Sequence, residues 1–414
     1  MIRPQDRLRL VAVSFALGLL WSAGAAAQPA DSPWPEFQHD AQNTGRSDEF
    51  TGPETMPSIV WQQNHASPRR AAPALAEDGT IYLGVGRFPL LAIDPASGLG
   101  VWATGPGNAT ALDRSSPAVA ADGTVYFGDR SNDLWSVDPS ILTPAIPYPI
   151  ADLNWRFSVP TDGDVSTPPT IGPDGRVYMA SDALATGKFY AMNPNGTPSW
   201  DVKLGGAPIN TSAALSHDGT VVYTVTGGRR LHALSTANGA DVFPPYIAQP
   251  AATGSRAFNF SPVVGKAGTI YVAARGVVVA VNPNGTLKWS FDPGLQFGSP
   301  VALAADGDLS GLEDAVYVTG YTRTATLYAL NPTNGTVLWE KPLLGRAKAR
   351  NVPPIVDASG NIFAAVGQFL YAFDSAGNSL WNLPFRFQFL SSPIIGGEGV
   401  LYVGNGRTLY KLSN

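Results

Sequence analysis

SPVVGKAGTIYVAARGVVVAVNPNGTLKW, Ser261 to Trp289, reads as four short strands in a row. Ser261–Val264 is apolar and extended. Lys266-Ala267-Gly268 turns the chain. Thr269–Ala273 alternates around Tyr271, Arg275-Gly276 turns again, and Val277–Val281 is a β-branched run. Asn282-Pro283-Asn284-Gly285 makes the third turn before Thr286–Trp289. Glycine reaches the positive φ that such turns need, and Asn and Pro pre-set the bend. A four-strand meander this short has two faces and too little core to stand alone. It must stack on copies of itself.

The copies are there. Ala72-Pro73, Asp78-Gly79-Thr80-Ile81-Tyr82, Leu91–Pro95 and Trp102 form the first. Ser116-Pro117, Asp122–Tyr126, Leu134–Pro139 and Trp155 form the second. Tyr178 and Trp200 mark the third, and Tyr223 and Phe243 the fourth. The opening stretch is the fifth, followed by Tyr317 with Trp339 and Phe363 with Trp381. The eighth has Ser392-Pro393, Tyr402 and Leu409–Leu412, then stops at Asn414 with three strands and no Trp. The strand left over at the start, Ser58–Trp61, supplies the missing one. The marker aromatics recur every 39 to 52 residues, the period of a propeller blade. The expectation is an all-β, eight-bladed β-propeller of four-stranded antiparallel blades, its ring closed by Ser58–Trp61 so that neither end leaves an open sheet edge. The recurrent Trp is expected at the seam between neighbouring blades, where its large apolar area is best used.

Composition agrees. Gly at 44 and Pro at 36 favour turns, and charged residues are only 14%. Residues 1–27 read as a secretory signal: Arg3, Arg7 and Arg9, then the apolar Leu10–Trp21, then Ala25-Ala26-Ala27. The apolar run is too short to span a bilayer. Residues 28–55 are a polar lead-in, and 56–414 the propeller. The expected location is the periplasm or outside the cell. Losing Arg3, Arg7, Arg9 and Asp6 makes the net charge of −5 two units more negative, which argues against nucleic acid. With no Cys there is no disulfide, thiolate metal site or lipid-bearing cysteine. A monomer is expected.

The unit S-P-x-[VI]-x-x-D-G-T-[VI]-Y…L-x-A-[LVI]-[DN]-P-x-x-G-x-x-x-W resembles the PQQ-type repeat of quinoprotein-like propellers. WPEFQHDAQNTGRS, Trp34 to Ser47, is similar to the lead-in of bacterial members. The resemblance covers nearly all of the mature chain and implies the fold; the fold itself hosts many activities. Dehydrogenase members hold PQQ and calcium in the central funnel, typically under a pair of adjacent cysteines. This chain has no cysteine and no motif onto which the family's catalytic Asp or calcium-binding Glu/Asn can be mapped. The resemblance therefore points to the non-catalytic branch, without PQQ; a PQQ-dependent oxidoreductase is the alternative. A lipoprotein relative that assembles outer-membrane proteins is anchored through a cysteine, which is also absent here.

Two candidate sites remain. Unit six reads Asp306-Gly307-Asp308-Leu309-Ser310-Gly311-Leu312-Glu313-Asp314 where others have Asp-Gly-Thr. Oxygens at Asp306, Asp308, Ser310 and Asp314, with glycine at the sixth position, resemble a calcium loop. A structural calcium there would raise the melting temperature at millimolar calcium, and an unchanged one would leave only an acidic loop. The second site comes from topology. In such a meander the strand 2–3 loops and blade-to-blade links share one face of the disc, and the strand 1–2 and 3–4 turns the other. The first face collects most of the arginines, including Arg70, Arg114, Arg256, Arg275 and Arg350. Arg70, Arg114 and Arg350 share one register and form an arc once the ring closes. Such an arc would focus an anionic ligand or an acidic protein surface. The opposite face receives Asp78, Asp94, Asp122, Asp138, Asp174 and Asp218, which turn chemistry explains. Phe385-Arg386-Phe387-Gln388-Phe389 also alternates, as a longer outer strand packing on its neighbour would.

Overall fold

The computed structural model describes residues 28–65, 71–85, 88–104, 115–129, 131–145, 147–160, 164–165, 167–181, 187–204, 211–227, 229–247, 260–274, 276–304, 313–321, 324–344, 352–389 and 391–414. Among them no helix is long and apolar enough to cross a membrane. The fifth unit folds as Val263–Val264, Ile270–Ala274, Val277–Val281 and Leu287–Phe291, paired in that order and antiparallel. Both middle strands are buried along their whole length, because blades cover both of their faces. That is why they read as apolar runs, while the outer strand alternates around Trp289. The register aligns Tyr271 with Ala280 and Ala280 with Trp289. The small central side chain lets the two rings meet over it, centroids 5.8 Å apart. The same Tyr–Ala–Trp row recurs at Tyr82, Ala92 and Trp102, and at Tyr317, Ala329 and Trp339.

The described strands form eight such blades. The first two are joined into one sheet by a parallel bridge between Ala103 and Ile150. Blade six carries a fifth strand, Gln296–Phe297. Ser58–Asn64 pairs antiparallel with Thr408–Ser413 and completes the last blade, as expected. Lys411 stands there in the alanine position, and its Nζ lies 3.0 Å from Pro95 O. Trp61 Nε1 donates to the same carbonyl at 3.1 Å. The ring closes through one core in which Leu75, Ile81 and Leu83 of blade one pack with Leu401, Val403 and Leu409 of blade eight.

The Trp seam follows a rule. Trp61, Trp155, Trp200, Trp289 and Trp339 each donate Nε1–H to a carbonyl in the strand 3–4 turn of the next blade, at 2.7–3.1 Å. Trp381 donates instead to Pro53 O at 2.8 Å, since the last blade has a chain end in place of that turn. The ring lies against a left-handed glycine of the same turn: a Cβ on Gly98, Gly196, Gly239, Gly335 or Gly377 would come within 2.6–2.8 Å of it. The glycine of the N-P-x-x-G turn therefore answers two demands, a positive φ and room for its neighbour's indole. Phe385 and Phe389 pack on each other and Phe385 on Tyr410, while Phe387 is exposed.

Candidate functional site

Residues 34–51 do what no repeat does. They cross the turn end of the ring and touch every blade. Trp34 O accepts from Leu75 N, Pro35 O from Val119 N, Ala41 O from Leu215 N and Gln42 O from Val264 N. Thr44 O accepts from Leu303 N, Gly45 O from Val356 N and Thr51 O from Gly399 N. Blade three is held by a side chain, Ile171 N donating to Glu36 Oε2 at 3.1 Å. The inner-strand donors occupy equivalent positions in blades one to seven. An inner strand of two residues leaves that N–H without a sheet partner, and one non-repeating segment supplies the acceptors. Asn43 Nδ2 ties blades four and five by donating to Ala213 O and Pro262 O, and Gln38 Nε2 donates to Val301 O in blade six. Trp34, Gln38, Asn43 and Ser47 are buried. Gln38, His39 and Asn43 have positive φ, which the winding path requires.

The charged groups of this cap are set by their surroundings. Asp40 accepts from the backbone N–H of Gln42 and Thr44 and from the Thr44 hydroxyl. Burial alone would raise its carboxyl; His39 and Thr44 hold it below the usual range. Glu36 is different. Burial, with Asp40 nearby, pushes its carboxyl well above the usual range despite the Ile171 bond. Oε1 has no partner among the described residues. A raised folded-state value means that the native state holds this proton more tightly than the unfolded chain. The resulting stability is full below the ordinary glutamate value and declines as pH rises through the folded value. Glu36→Gln is expected to flatten the fall in melting temperature as pH rises above the ordinary glutamate value. Parallel curves for variant and wild type would show an ordinary carboxylate. Outside the cap lies a cleft of about 480 Å³ whose wall includes His39, Asp48, Glu49 and His217. His217 Nε2 lies 3.0 Å from Gly265 O.

Arg70, Arg114, Arg256, Arg275 and Arg350 lie outside the described residues, as do Asp306, Asp308 and Ser310. Asp314 is exposed. Its neighbour Glu313 is buried and turned back onto blade five, where it accepts from Lys266 N and, at 3.2 Å, from Tyr271 Oη. That acidic residue belongs to a seam, which its spacing in the loop does not reveal. Arg229 and Arg407 do fall in strand 2–3 loops, of blades four and eight. The cap was legible only as a polar lead-in; its one signal was a buried-type Trp within a polar stretch.

Residues 152–290 and 323–414, together more than half of the chain, match the protein family described as outer membrane protein assembly factor BamB. No curated protein matches the chain. Among solved structures it is similar to a quinohemoprotein alcohol dehydrogenase from Comamonas testosteroni, at 14% identity and a TM-score of 0.70 over 94% of this chain and 81% of that one. The quinohemoprotein alcohol dehydrogenase ADHIIG from Pseudomonas putida HK5 has 11% identity and a TM-score of 0.74, over 93% and 80%. BamB from Moraxella catarrhalis has 15% identity and a TM-score of 0.62, over 87% of this chain and all of that one. At such identities the likeness is one of fold.

Proposed function

Because the chain belongs to the family of the outer membrane protein assembly factor BamB, we propose that it is an exported, non-catalytic binding protein. Its working surface is the face of strand 2–3 loops and blade links, where Arg70, Arg114, Arg256, Arg275 and Arg350 meet a protein partner or an anionic ligand. The observation that carries this reading is the cap. Residues 34–51 cover the turn end of the axis and bond to all eight blades, which leaves the opposite end, that of the strand 2–3 loops and blade links, as the approach to the funnel. Guanidinium groups suit that task because each presents a planar fork to carboxylate or phosphate. Reversing Arg70, Arg114 and Arg350 together to Glu is expected to abolish capture of the partner from periplasmic extract while the melting curve is unchanged. The same partners captured by the variant would overturn the assignment. The alternative, a PQQ-dependent oxidoreductase, predicts reduction of an electron-acceptor dye when the protein is incubated with PQQ and calcium; the binding reading predicts none.

A further inference from the structure

Among the seven seam tryptophans, Trp102 alone has no carbonyl on its Nε1–H among the described residues. Blade two begins its strand 3–4 connection in the usual way, with Asp138-Pro139-Ser140 and an Asp138 Oδ1 that accepts from Ser140 N at 2.8 Å. It then runs on. Asp133–Thr143 and Ile150–Ser158 form a long hairpin, and Leu142 pairs with Ala151 where the turn should reverse. No glycine occurs between Asp138 and Trp155. The inserted Ile141 and Leu142 point outward and are exposed. As a result no glycine turn lies against Trp102, the indole of the preceding blade, among the described residues. A pocket of about 650 Å³ stands in its place, within the range of about 300–1,000 Å³ that holds small ligands.

The pocket has chemistry on its floor and on its rim. Trp102 and Tyr82 line it, and are only 4% and 3% exposed. Their rings lie 5.5 Å apart. Neither Trp102 Nε1–H nor Tyr82 O–H has a hydrogen-bond partner among the described residues, whereas six equivalent indoles do. Both residues line the pocket, so an acceptor seated there has two donors to meet. Glu77, Asp78, Asp122 and Asp138 form the rim, and no Lys, Arg or His lines it. Asp78 and Asp122 each use Oδ1 to close a turn on Thr80 N and Thr124 N, both at 2.9 Å. Their Oδ2 atoms have no hydrogen bond among the described residues. Walls of low dielectric focus such a negative field.

We propose that this pocket seats a glycine-containing turn of a basic partner protein. The other seams show what fits an indole of this register: a turn carbonyl on Nε1–H and a glycine against the ring. The carboxylate rim adds a preference for Lys or Arg beside that turn. The site lies on the turn face, opposite the strand 2–3 loops, so it stands or falls independently of the function proposed above.

The test uses the full mature protein with its indoles labelled by ¹⁵N. The probe is a cyclic peptide carrying Val-Asn-Pro-Asn-Gly-Thr, the sequence of Val281–Thr286, flanked by lysines. Addition up to about 1 mM is expected to shift the Trp102 Nε1–H resonance, identified by its loss in Trp102→Phe. Tyr82→Phe, and separately Asp78→Asn with Asp122→Asn, should each weaken binding about tenfold. The Asn variants keep the turn acceptor and so keep the fold. A peptide with Glu in place of the lysines, or Val in place of Gly, should leave the resonance where it was. No shift with the lysine peptide overturns the proposal. So does an equal shift with lysine amide, which would make the pocket a cation subsite only, or an equal shift with the Val peptide.

Discussion

A chain lacking residues 28–51 is expected not to fold to a stable propeller, although every blade strand remains. The deletion strips the acceptors from the inner-strand N–H groups of Leu75, Val119, Ile171, Leu215, Val264, Leu303 and Val356, all on buried residues. An unsatisfied buried donor costs about 1–3 kcal/mol. Seven of them, together with the lost burial of Trp34, rival the roughly 5–15 kcal/mol of a typical native state. Water can recover part of this if the axis opens, so single changes set the scale. Trp34→Ala should cost about 3–5 kcal/mol as a large-to-small core change. Asn43→Ala should cost about 1–3 kcal/mol, because it removes the side-chain donor to the Pro262 carbonyl and one of the two side-chain donors to the Ala213 carbonyl, which Thr170 Oγ1 still serves. Urea unfolding followed by circular dichroism measures all three. A truncated chain with a cooperative transition at the wild-type midpoint would show the cap to be an ornament on a self-sufficient ring.

The seam rule makes the second large prediction, through two glycines with nearly the same φ. Gly335 has φ +75° and Gly294 φ +73°. A Cβ at Gly335 would lie 2.6 Å from Trp289, while at Gly294 nothing lies within 4 Å. Gly294→Ala therefore carries only the left-handed backbone penalty, about 1–2 kcal/mol. Gly335→Ala adds about 1–3 kcal/mol for displacing the indole, with a weakened Trp289 Nε1–H bond to Pro332 O. Denaturant midpoints for the pair should differ accordingly. Equal losses would mean that the glycine is kept for φ alone and that the indole moves freely.

The blade plan was legible from Ser261–Trp289 because its causes are local. Turn residues, alternation and a middle alanine all act within a few positions, and repetition turns them into a ring with a countable number of blades. Ring closure could be read as well, since a blade with three strands and a spare strand at the other end have one economical solution. Even the broken seam left a trace, a Pro139 not followed by glycine. Whether the inserted residues would fill that seam or leave a pocket was not readable. That depends on Ile141 and Leu142 pointing outward, which the hairpin register decides. The cap was hidden for a related reason. Trp34–Thr51 bonds one residue at a time to residues as far apart in sequence as Leu75 and Gly399, so no periodic pattern records it. Its Gln, Asn and Thr side chains look solvent-facing until the closed ring surrounds them. Local chemistry thus determined the blades, and only the closed tertiary structure decided which end of the axis is sealed and which seam stays open.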